Sequence, residues 1–231
     1  METEKPHLRE IRSFGRRDGR PLSKRQQYLV DTLLPKVRVP DDVDSLTAHS
    51  LFGDHRPIWL EIGFGGAEHL IRMARQHPQI GFIGAEPFID GVAKALTGID
   101  ENNLNNVRLY DDDVRTIVPL FPKAAISRTF ILFPDPWPKR RQQKRRLIQP
   151  AFLDELSNVM APDAHLRFAT DVANYADEAL ARFLAHPAFD WTAECADDWK
   201  QQPADHEATR YQLKKLGDCE PVWLEFIRRA D

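Results

Sequence analysis

Five short apolar runs, each ending at a carboxylate, constrain this chain more than any other feature. They cover residues 58–62, 80–85, 107–110, 129–133 and 165–169, and their acids are Glu61, Glu86, Asp112, Asp135 and Asp171. Successive acids stand 25, 26, 23 and 36 residues apart, about one strand plus one helix each. Between them lie stretches with helical spacing: 67–76, where Leu70, Ile71 and Ala74 share a face, then 91–97, 150–160 and 172–184. Such alternation predicts an α/β fold, a doubly wound and mostly parallel sheet. Residues 191–193 and 222–227 read as late strands, and the second alternates enough to run antiparallel. In an open sheet of this kind, ligands bind outside the carboxyl ends of the strands. All five acids then line one edge, which suits a ligand rich in donors or positive charge.

The first unit narrows the ligand. The strand at 58–62 runs into Gly63-Phe64-Gly65-Gly66 and then a helix, the opening of a nucleotide-binding unit. Glycines there permit positive φ and let a ligand approach the backbone. A dinucleotide fingerprint wants a third small residue at the helix start, but Glu68 stands there, and its carboxylate would repel a pyrophosphate. S-adenosylmethionine fits better: a sulfonium, an ammonium, a ribose diol and an adenine amine, with no phosphate. Glu61 is placed near its methionine end, Glu86 at the diol and Asp112 at the adenine amine. Each acid taken alone also reads as a helix cap or a turn residue.

The fourth run opens the most distinctive stretch, RTFILFPDPWPKRRQQKRR over residues 128–146. Three prolines in 134–138 exclude helix and central strand, so Asp135 and Trp137 sit on a stiff loop. Residues 139–146 then carry six cations in eight positions. An acid and an aromatic beside a basic cluster point to a polyanion whose base is held at a site. Residues 12–25 form a second basic cluster, Arg12, Arg16, Arg17, Arg20, Lys24 and Arg25, read as an RNA-contacting arm. Net charge is −3 over 231 residues, so any nucleic-acid surface is local. The organisation expected is a basic arm and helix over 1–50 and a catalytic domain over 51–231, with a helix over 23–34 ending before Pro35.

Cys195 and Cys219 form no CxxC pair, and the eight histidines show no metal-ligand spacing. The reading is a reduced, cytoplasmic protein with no metal and no membrane span, monomeric or homodimeric. No Ser-His-Asp set and no Walker loop is present.

Taken together the motifs resemble the bacterial tRNA (guanine-N7)-methyltransferases. The pieces are Ile11-Arg12-Ser13-Phe14, 60–65, Gly84-Ala85-Glu86, 133–139, Lys144-Arg145-Arg146, Ala169-Thr170-Asp171 and Thr209-Arg210-Tyr211, spread over nearly the whole chain. The resemblance implies the class I methyltransferase fold, a Rossmann-like sheet, and methylation of N7 of the variable-loop guanine 46 of tRNA. It also implies that Glu61, Gly63, Gly65, Glu86, Asp112 and Asp135 contact S-adenosylmethionine, with Asp135 catalytic as well. Lys139, Asp171, Thr209, Arg210, Tyr211 and Gln212 would contact tRNA. Gln212 departs from the family, which usually has Glu. With one acceptor oxygen, Gln212 is not expected to read both N1–H and the amine of guanine; Asp135 or Asp171 is. Methylation of an exocyclic base amine, nicotinamide-dependent oxidation and RNA binding without catalysis are the competing readings.

Overall fold

The computed structural model describes residues 21–230. The arm residues Arg12, Arg16, Arg17 and Arg20 lie outside the described residues. The chain enters through α1 (Lys24–Thr32), whose N-cap Ser23 and Gln26 form a reciprocal capping box. The expected stop before Pro35 is half right. The helix breaks at Leu33, and α2 (Leu34–Val37) then begins with Pro35 in its first turn, where the missing N–H costs nothing. A third helix, α3 (Ala48–Phe52), precedes the first strand, its N-cap Thr47 forming a capping box with Ser50.

The body alternates as the spacing predicts: β1 (Ile58–Ile62), α4 (Glu68–Gln76), β2 (Gly81–Ala85), α5 (Ile89–Glu101), β3 (Val107–Tyr110) and β4 (Ile126–Leu132). It continues through α6 (Pro150–Val159), β5 (Met160–Thr170), α7 (Ala173–Ala185), β6 (Phe189–Trp191), α8 (Asp197–Lys200), α9 (Arg210–Leu213) and β7 (Val222–Arg228). One seven-stranded sheet results, in the order β3-β2-β1-β4-β5-β7-β6. β1 to β5 pair in parallel, and β7 runs antiparallel to both of its neighbours.

The sheet is covered on both faces, which is why its strands read as near-continuous apolar runs rather than alternating ones. Leu60, Ile131, Leu166 and Leu224 pack with Leu153, Leu156 and Phe183 on one face. Phe82, Phe130, Ala169 and Trp223 pack with Leu70, Met73 and Leu96 on the other. The order reverses between β1 and β4, so the ends of these two strands form the crevice where such sheets take ligands. Among the described residues, no helix is long and apolar enough to cross a membrane.

Candidate active site

β1 turns into α4 through three left-handed residues, Gly63 (φ 73°), Gly65 (φ 52°) and Ala67 (φ 63°). Gly91, in the first turn of α5, packs so tightly on this turn that a Cβ there would overlap the Gly65 carbonyl and touch Glu86. Glu86 locks the turn from the other side. Its carboxylate accepts the Gly65 N–H at 2.9 Å and the Phe88 N–H at 3.0 Å. Burial raises the Glu86 pKa, the two N–H groups oppose the rise, and nearby Asp135 adds to it. Glu61 is buried and accepts from His69 Nδ1 at 2.7 Å.

A cleft of about 400 Å³ opens above this turn, and Glu61, Gly63 and Gly65 line its floor. Its opposite wall is α9, through Thr209, Arg210 and Tyr211, with Lys94 and Phe133 completing the lining. Arg210 Nε reaches Glu68 at 2.9 Å, so the acid that argued against a pyrophosphate ties α4 to α9 across the cleft. Asp171 and Gln212 line a second cavity of about 620 Å³, floored by Trp223. The Asp171 carbonyl accepts from the Asp218 and Cys219 backbones, and its carboxylate accepts from the Tyr211 hydroxyl at 3.4 Å. Desolvation, then Asp171, pushes the Tyr211 phenol up to about 12, so Tyr211 acts as a hydroxyl donor.

The proline loop is under backbone strain at both ends. Phe133 (φ 53°) and Trp137 (φ 44°) hold left-handed conformations that bulky residues avoid. Strain of this kind costs about 1–3 kcal/mol per residue and persists where the surroundings over-determine the backbone. Phe133 is held by its N–H to the Ala169 carbonyl at 2.7 Å and by its ring against Tyr211 and Trp223. Trp137 lies under the Arg145 guanidinium at 5.0 Å and does not belong to the core. Asp135, between them, is exposed, yet the surrounding walls desolvate its carboxyl enough to raise its pKa. Its charge raises the pKa of both Glu86 and Tyr211.

The aspartate triplet divides its work. Asp111 binds Arg38 at 2.8 Å and Asp113 caps a 3₁₀ turn and pairs with Arg115, while Asp112 accepts the Asp113 N–H. The basic run folds as a 3₁₀ turn, Arg140–Arg145, with Lys139 at its N-cap. Lys139, Arg140, Arg141 and Lys144 are exposed. Arg146 departs from the rest of the basic run. It is 1% exposed, pairs with Glu178, donates to the Pro136 carbonyl at 2.8 Å and lies over Tyr175. It anchors the proline loop to α7.

The cleft therefore gathers Glu61, Gly63, Gly65, Thr209, Arg210 and Tyr211, with Glu86 bonded beneath it. Asp171 and Gln212 line the second cavity, and Asp112, Asp135 and Lys139 line neither. Two residues escaped the sequence reading, His69 and His206. No metal-ligand spacing marks either histidine, and no spacing signal links them to their partners Glu61 and Gln212. Among the described residues, no cluster of His, Cys, Asp and Glu suited to a metal is present.

A sequence family described as putative methyltransferase matches residues 55–223. A tRNA (guanine-N(7)-)-methyltransferase of Hyphomonas neptunium is 53% identical over 94% of this chain and 99% of its own length. Enzymes of the same name from Caulobacter sp. and Rhodospirillum rubrum are 50% and 46% identical, over 94% and 98% of this chain and 95% and 91% of theirs. The 16S rRNA methyltransferase KamB superposes with a TM-score of 0.54 at 14% identity, over 84% of this chain and all but 1% of its own. A SAM-dependent O-methyltransferase of Thermotoga maritima superposes at 0.50 and 12%, over 91% and 67%. These two likenesses show the class I methyltransferase fold; the sequence relatives show that the chain belongs to the tRNA (guanine-N(7)-)-methyltransferase family.

Proposed function

We propose that this protein transfers the methyl group of S-adenosylmethionine to N7 of guanine in tRNA, at the variable-loop position 46, in the cytoplasm. The observation that carries this is the acid-lined cleft at the β1–β4 crevice, with Asp135 on a rigid loop between it and an exposed basic turn. The acceptor set fits the cofactor. Glu86 is pre-aligned at the end of β2 for a diol, Asp112 at the end of β3 for an adenine amine, and Glu61 on the cleft floor for the cationic end. When bound, the cofactor supplies an electrophilic methyl group on a sulfonium.

The residues of the chain need not move a proton. N7 carries an in-plane lone pair and no hydrogen, so no general base is required. What remains is alignment, and charge placed where the purine becomes cationic. Asp135 supplies that charge and accepts from the amine edge of the base. Tyr211 and Asp171 bound the base on the far side, and the exposed cations of 139–144 hold phosphates. Incubation with unmodified tRNA and labelled S-adenosylmethionine, followed by nucleoside analysis, should yield 7-methylguanosine. Label on the amine of adenosine or cytidine would overturn the assignment.

A further inference from the structure

Contacts within the protein hold the segment 209–213 in place. Thr209 caps α9, and the Gln212 side-chain oxygen Oε1 returns to accept the Thr209 N–H at 2.9 Å. That oxygen also accepts from His206 Nε2 at 2.7 Å. Two donors converging on one atom identify it as the amide oxygen and fix His206 as the Nε2–H tautomer. Both lone pairs of Gln212 are then spent inside the protein, and none is left for the N1–H or amine of guanine. His206 itself is buried, with its ring stacked on His69 at 5.5 Å and tilted against Trp223 at 4.5 Å. His69 in turn donates to Glu61 on the cleft floor. Desolvation depresses the His206 pKa to about 4, with His69, Arg167 and Arg72 acting in the same direction, so the ring is neutral and its single N–H goes to Gln212. Its neighbour Asp205 is pinned to Arg167 at 2.8 Å and Arg128 at 3.3 Å, so this stretch of chain is fixed on the sheet.

We propose that His206 is a positioning residue for methyl transfer: through Gln212 it fixes α9, and through His69 it ties α9 to Glu61 at the floor of the cofactor cleft. Gln212 acts from behind the substrate-facing surface and does not read the base. The proposal rests on the methyl-transfer reading above. Its test compares His206→Phe, which keeps the ring and removes the N–H, with His206→Gln, which restores a donor. His206→Phe should bind S-adenosylhomocysteine within about threefold of wild type and lose about tenfold in kcat/KM for tRNA, the scale of one buried hydrogen bond. His206→Gln should recover most of that loss. Wild-type kcat/KM in His206→Phe, or equal losses in both variants, would overturn the assignment. Amide hydrogen exchange over 209–213 reads the same contact without RNA. It should quicken by about tenfold in His206→Phe and return toward wild type in His206→Gln. If wild-type protein methylates no tRNA, the functional reading falls and this exchange result alone decides the positioning role, unchanged exchange refuting it.

Discussion

Asp135 is a carboxylate kept where a carboxylate is uncomfortable. Its raised pKa means that the folded protein binds its proton more tightly than the unfolded chain does. The sign follows: the native state loses stability as pH rises through that pKa, and regains it below the ordinary carboxylate value of about 3.9. Asp135→Asn should therefore melt at or above the wild-type temperature at pH 7, with the gain vanishing in acid. The same change should reduce kcat by roughly 10²-fold, as loss of one preorganised electrostatic group does. A lower melting temperature, or near-normal turnover at saturating tRNA, would contradict these outcomes. Glu86 differs because two backbone N–H groups already hold it. Glu86→Ala frees the Gly65 turn as well as removing the acceptor, so S-adenosylhomocysteine affinity should fall by about 1.5–3 kcal/mol by calorimetry. Ligand binding unchanged within error would remove Glu86 from the cofactor site.

Among the elements, the basic 3₁₀ turn separates two jobs that look identical in sequence. Lys139, Arg140, Arg141 and Lys144 are exposed, while Arg146 is sealed between Pro136, Glu178 and Tyr175. Neutralising the exposed four should leave the melting temperature nearly unchanged and flatten the salt dependence of tRNA affinity. The change should be about 0.7–0.9 in log–log slope per lost phosphate contact. Arg146→Ala should instead destabilise by about 3 kcal/mol, because it strips Glu178 of a partly buried partner. A full salt slope in the first variant, or a wild-type melt in the second, would reverse the two roles. This is also where the sequence stopped being legible. The period of acids and apolar runs exposed β1 to β5, because these strands are covered on both faces over most of their length and so are largely apolar there. Proline chemistry exposed the loop around Asp135. Nothing local marked Arg146 as buried, since its side-chain partners Asn174 and Glu178 lie 28 and 32 residues away on α7. The Glu61–His69 and His206–Gln212 bonds were equally silent, being set by how α4 and the 201–209 stretch meet over the sheet.

At the scale of the whole molecule, acid acts through His206. Its folded pKa near 4 lies below the ordinary value of 6.5, so its neutral form contributes stability above pH 6.5 that is lost as pH falls toward 4. The slope is at most about 1.4 kcal/mol per pH unit. Melting curves between pH 6.5 and 4 should show wild type losing more than His206→Gln, and parallel curves would exclude this origin. The sheet order carries a different consequence. β7 lies between β5 and β6 although the chain makes it after both. A ribosome thus delivers β5, with Leu166 and Phe168 on it, well before the strand that pairs with its far edge. Until residues 222–228 emerge, that edge offers open backbone donors and acceptors to any other chain. Ending translation at Pro221 should give insoluble protein even though all five strand-end acids and α9 have been made, and a soluble, cooperatively melting product would show the edge to be protected otherwise. The nascent enzyme can assemble its row of strand-end acids early, but it becomes safe from its neighbours only with β7.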